Sequence, residues 1–172
     1  MRNLLIVVLV LALAASAGAR SIEGSYVTLL SPGSISPGET YMFEFEVYNA
    51  STDTEWLTEI LITFPDGYII NEGSMAFDEI AAGRPSFDMF VPDGPTAIWS
   101  DNDGGYGEIY GNEYCYVRVE ATVANQLYGI PIYWCLKGDI WGEPPHEVCG
   151  CFEIEVSPVE EQSWTNIKAM FR

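Results

Sequence analysis

Thr40-Tyr41-Met42-Phe43-Glu44-Phe45-Glu46-Val47-Tyr48-Asn49 alternates without a slip. Tyr41, Phe43, Phe45 and Val47 fall on one side, and Met42, Glu44, Glu46 and Tyr48 on the other. A strand repeats every two residues, so this stretch buries one face and wets the other. On a helix the same residues would scatter around the circumference. Asn112 to Val123 repeats the pattern, with Cys115, Val117, Val119, Ala121 and Val123 inward and Tyr114, Tyr116, Arg118, Glu120 and Thr122 outward. Between and around these two lie further strand patterns. They are Ser25 to Ser31, Trp56 to Phe64 with Ile60, Ile62 and Phe64 inward, Tyr68 to Ile70, Phe87 to Val91, Thr96 to Trp99, Ile130 to Lys137 and Val148 to Val156. Turn chemistry separates them: Pro32-Gly33, Pro37-Gly38, Ser51 to Glu55, and Pro65-Asp66-Gly67. The stretch from Asn71 to Pro95 is less regular.

Seven to nine strands in one chain of this length predict an all-β fold, an antiparallel immunoglobulin-like β-sandwich, with a jelly roll as the rival. The paired cysteines around a buried tryptophan that mark antibody domains are absent, so the expectation concerns topology alone. Residues 20–157 would form this one domain. Residues 158–172 would be a short tail, where Trp164, Ile167, Met170 and Phe171 recur at helical spacing behind a Ser163 cap.

Ahead of the domain, residues 1–19 read as a signal peptide: a positive start at Arg2, the apolar run Leu4 to Ala15, then Ser16-Ala17-Gly18-Ala19 as a cleavage site. The apolar run is too short to span a bilayer comfortably, and no second one follows, so no membrane span is expected in the mature chain. Taking nineteen residues from 172 leaves 153, one domain's worth. The net charge of −18 becomes −19 when Arg2 is lost. That balance excludes a nucleic-acid binder, which needs a basic face, and argues against lying on anionic lipid.

Four cysteines, Cys115, Cys135, Cys149 and Cys151, make disulfides the first reading for an exported protein. If the last two long strands are antiparallel neighbours, Cys135 bridges either Cys149 or Cys151. Cys115, on a core-facing set, would take the remaining partner only if a bulge or strand end turns it.

The segment Ser31-Pro32-Gly33 through Asn49-Ala50-Ser51, with Phe64-Pro65-Asp66-Gly67 after it, resembles the extracellular Ig-like modules of the CARDB and DUF11 families in large secreted bacterial proteins. The tail from Val159 to Arg172 is similar to C-terminal segments of exported proteins from uncultivated bacteria. The resemblance implies a core strand over Tyr41 to Tyr48, a turn at Asn49-Ala50-Ser51 where such modules often carry an Asn, and a stalk, spacer or adhesion role without chemistry.

Three features bear on ligands. Asp101-Asn102-Asp103-Gly104-Gly105-Tyr106-Gly107-Glu108 sets short oxygen-bearing side chains among glycines, so Asp101, Asp103 and Glu108 are calcium candidates, although the spacing is not that of an EF-hand. Trp99, Tyr106 and Trp141 are candidates for stacking on sugar rings. The loop Gly138 to Glu147 holds the single histidine, His146, which a bland reading leaves exposed. No G-x-S-x-G elbow or other catalytic constellation is present. The sequence therefore predicts a secreted, non-catalytic interaction or structural module of the cell surface or extracellular matrix, with adhesion as one role. Its partner would be an extracellular protein or glycan. A calcium-stabilised carbohydrate-binding module is the alternative.

Overall fold

The computed structural model describes residues 21–52, 55–78, 86–92, 94–124 and 131–156. The chain passes in order through β1 (Tyr26–Ser31), β2 (Ser34–Ile35), β3 (Thr40–Tyr48), β4 (Leu57–Thr63), β5 (Ile69–Asp78), β6 (Phe87–Phe90), β7 (Thr96–Asp101), β8 (Tyr114–Thr122), β9 (Ile132–Gly138), β10 (Glu147–Phe152) and β11 (Glu155–Val156). No helix occurs among the described residues. The proposed signal peptide and the proposed C-terminal tail lie outside them.

One sheet has the order β1-β3-β8-β5 and the other β10-β9-β4-β7-β6, and every pairing within them is antiparallel. Reading β1, β3, β4, β5, β8, β9 and β10 as strands A to G gives the ABED and GFC sheets of an immunoglobulin constant-type domain. The hairpin β6–β7 extends the second sheet beside β4. This is the expected Ig-like sandwich: among the described residues its two sheets hold nine strands, and β2 and β11 pair apart from them.

Alternation explains the layers. Phe43, Phe45 and Val47 of β3 and Cys115, Val117, Val119 and Ala121 of β8 are buried against Leu57, Ile60 and Ile62 of β4, Trp99 of β7 and Ile132, Trp134 and Leu136 of β9. Phe43 meets Phe64 edge to face, ring centroids 4.9 Å apart, the geometry aromatic quadrupoles favour.

Two elements depart from the sequence reading. β5 runs on to Asp78, through a stretch that lacks clean alternation, because its pairing with β8 shifts register between Asn71 and Ala76. Within that bulge the Ser74 hydroxyl accepts the Glu120 N–H at 2.7 Å and donates to the Asn71 carbonyl at 2.6 Å. A bulge re-aims side chains, so period-two counting fails across it. The last strand is not continuous either. It breaks at Glu153-Ile154, and β11 leaves the sheet to pair in parallel with β2.

Cys135 and Cys149 face each other directly on β9 and β10, and their sulfurs are bonded. The bridge is therefore within one sheet, not between sheets as in antibody domains. A second bridge does not form. Cys115 is buried in the core from the opposite sheet, where burial pushes its thiol pKa up to about 12, and Cys151 is exposed opposite Tyr133.

Candidate functional site

The loops that follow β7 and β9 meet through their aromatic residues. β7 ends at Asp101, whose Oδ1 accepts the Asp103 N–H at 3.0 Å, and the Asp103 Oδ1 in turn accepts the Gly105 N–H at 2.8 Å. These two side-chain-to-backbone turns coil the loop tightly. Gly107 then presses the chain onto the start of β4. Its φ is +109°, and a Cβ there would lie 2.7 Å from the Leu57 carbonyl oxygen, so only glycine fits. Glu108 donates its N–H to the same carbonyl at 2.8 Å.

The result brings Asp101, Asp103 and Glu108 together, with one carboxylate oxygen from each inside a 4.8 Å cluster. Partial burial raises the Glu108 pKa, the backbone hydrogen bond from Ser86 opposes the shift, and the neighbouring Asp101 and Asp103 raise it further. Gathered carboxylates repel one another, and a hard cation would relieve that repulsion.

Of the three stacking candidates, two come together and one does not. Tyr106 and Trp141 are 62% and 69% exposed, with ring centroids 6.0 Å apart in an edge-to-face arrangement. Trp99 is fully buried, its indole N–H donating to the Ala76 carbonyl at 3.1 Å. Trp99 is thus a core residue and cannot stack on a sugar. Its position on the inward set of β7 opposite Ile60 accounts for this.

The loop after β9 is anchored by a group the sequence reading passed over. Glu55, in what looked like a polar turn, is fully enclosed. Its Oε1 lies 2.6 Å from the Nδ1 of His146, so the single histidine is partnered rather than free. Gly138 makes room: a Cβ there would collide with the Glu55 carboxylate. Desolvation raises the Glu55 pKa, His146 pulls it back, and Asp139 raises it again. The only hint in the sequence was an acid beside Trp56, where solvent exposure is the ordinary reading.

A raised folded-state pKa means that the unfolded chain releases this proton first as pH rises. The associated stability is therefore complete below 4.5, Glu55's ordinary value, and is lost as pH climbs through the raised one. Glu55→Gln is expected to flatten that fall. Urea midpoints of both proteins from pH 4 to 7 check it, and parallel profiles would refute it.

No family model matches the chain, and no curated protein matches it. Solved structures do. One, a protein described as membrane anchored from Corynebacterium diphtheriae, superimposes with a TM-score of 0.53 at 12% identity over 79% of this chain. This chain spans only 36% of that protein's length. An uncharacterized Nocardia farcinica protein with an immunoglobulin-like fold gives 0.46 at 14% identity, covering 75% of this chain and 97% of that one. AvmM, which catalyses macrocyclization in alchivemycin A biosynthesis, gives 0.43 at 15% identity, covering 84% and 96%. At 12% identity the likeness to the first of these carries the architecture and not an activity. The chain is an all-β, immunoglobulin-like sandwich.

Proposed function

We propose that this protein is an exported, non-catalytic interaction module of the bacterial surface or extracellular matrix, in keeping with its likeness to CARDB and DUF11 modules and with an adhesion or spacer role. The observation that carries the reading is the exposed Tyr106–Trp141 pair, which puts two large rings into solvent on loops held by a rigid sandwich. Binding residues characteristically sit on such loops. Turnover of a defined substrate, abolished by a single side-chain change, would overturn it.

The acid cluster in the same loop as Tyr106 favours one specific form of this reading, a calcium-supported glycan site. Asp101, Asp103 and Glu108 would hold the ion and so brace the loop that presents Tyr106. Trp141 and Tyr106 would pack against a sugar face. Extracellular calcium sites are commonly weak, with Kd of about 10⁻⁴ to 10⁻³ M. At calcium about thirty times Kd, linkage adds about 2 kcal/mol, or about 4–8 °C in thermal midpoint for a domain of this size. The rise should be reversed by EDTA and reduced by Asp103→Ala. A metal-free sample that shows no shift retires the ion. Glycan-array binding that disappears with Trp141→Ala supports the sugar; an array blank for the native chain removes it.

A further inference from the structure

The outer face of the β1-β3-β8-β5 sheet carries an arrangement visible only after pairing. Register sets Tyr26, Tyr48 and Tyr114 side by side across three strands, with ring centroids 5.2 Å and 4.6 Å apart. One step along the same face, Tyr116 lies opposite Glu46 and donates its hydroxyl to that carboxylate at 3.1 Å. One step further stands Glu44, exposed and directly opposite Arg118, whose guanidinium pairs with Asp78 and makes no ion pair with Glu44. Beside it, the side chains of Leu30, Glu44, Tyr116, Arg118 and Asp78 surround a cavity of about 120 Å³. Leu30 reaches it because the β1–β3 pairing shifts register between Leu29 and Ser31. Arg118 is already matched with Asp78 at 2.9 Å. Glu44 and Glu46 therefore leave the face with a surplus of negative charge next to exposed aromatic rings.

We propose that this face docks an extended, lysine- or arginine-bearing segment of another protein, with one basic side chain entering the cavity at Glu44 and the rest of the segment lying along the tyrosine row. The cavity supplies what such a side chain needs. Leu30 offers apolar surface to the stem, Glu44 a carboxylate to the head, and Tyr116 a ring for a cation–π contact. From Tyr48 to Glu44 the face runs four residues, about 13 Å, so it accepts a stretch of chain rather than a lone ion. A second copy is the wrong occupant, because its 25 acids against 7 bases would set like charge against like. The proposal deepens the interaction-module reading by naming a second surface and its partner's chemistry, and it does not depend on the loop site.

The test is the anisotropy of fluorescein-labelled octalysine titrated with the full chain at about 150 mM salt, where diffuse attraction is screened beyond about 8 Å. Glu44→Gln should weaken binding about 3- to 5-fold, as should Tyr114→Ser, the loss expected for one charge or cation–π contact. Asp66→Asn removes the same charge in the turn before β5, and should change binding by less than about 1.5-fold. Glu44 is exposed, so its substitution does not threaten folding, and an unchanged thermal midpoint qualifies Tyr114→Ser. Equal losses from Glu44→Gln and Asp66→Asn would overturn the proposal, showing only bulk charge. So would no loss from a folded Tyr114→Ser, or cellohexaose competing with octalysine at the native face. Trp141→Ala leaves octalysine binding intact if the two surfaces are separate, so failure here and failure of the loop reading appear in different variants.

Discussion

Asn49→Leu is expected to destabilise the protein by about 2–6 kcal/mol, a large part of the stability of an ordinary domain. Asn49 is fully buried just after β3. Its side-chain amide donates to the carbonyls of Glu55 and Ile109, both at 2.9 Å, and its Oδ1 accepts the Ser51 N–H at 3.0 Å. One side chain thus joins the turn after β3, the approach to β4 and the loop before β8. Leucine fills a similar volume but pairs with none of the three backbone groups. The Ile109 carbonyl keeps the Leu57 N–H at 3.0 Å, whereas the Glu55 carbonyl and the Ser51 N–H lose their Asn49 partner, and each buried group left unpaired costs about 1–3 kcal/mol. Asn49→Asp separates the causes, since it can still accept from Ser51 but cannot donate to the two carbonyls. Urea unfolding should rank native, Asp and Leu in descending stability. A Leu variant within about 1 kcal/mol of native would show that these segments are held by packing instead.

Trp99→Ala should cost a similar amount, about 3–5 kcal/mol. The ring is fully buried between the sheets, and its removal also orphans the Ala76 carbonyl on β5. Because that carbonyl belongs to the opposite sheet, Trp99 ties the two layers together by a hydrogen bond as well as by contact. Trp99→Phe restores most of the volume and should recover most of the loss, but not the bond. Per folded molecule, any glycan binding should be unchanged in Trp99→Phe, whereas Trp141→Ala should remove it while barely moving stability. A Trp99→Ala protein as stable as native would contradict the core placement.

The strands were legible where one face meets the core and the other meets water. β3 and β8 read cleanly because burial there follows the pleat, and β4 does so from Ile60 onward, past a register shift between Leu57 and Glu59. β5 did not, since Gly73 and Ser74 sit in a bulge whose hydrogen bonds come from a side chain and not from the ladder. The sequence offered Trp99 and Trp141 as equals, two tryptophans near loop residues. What separates them is that Trp99 lies on the inward set of a paired strand and Trp141 on a loop beyond β9. Glu55 was illegible for a different reason. A carboxyl among polar turn residues normally faces solvent, and only the approach of His146, 91 positions away, shows that this one does not.

By itself the amino-acid order determined which way each side chain of β3 and β8 points, because that depends only on a local two-residue period. It likewise set the cross-strand reach of Cys135 to one of two nearby cysteines and the clustering of Asp101, Asp103 and Glu108 within a single short loop. Tertiary pairing decided the rest. The register of β3 on β8 made a row of Tyr26, Tyr48 and Tyr114 from residues far apart in the chain, sheet membership left Cys115 without a partner, and loop packing brought Tyr106 to Trp141. Those outcomes depend on contacts between distant segments, and no local period carries them.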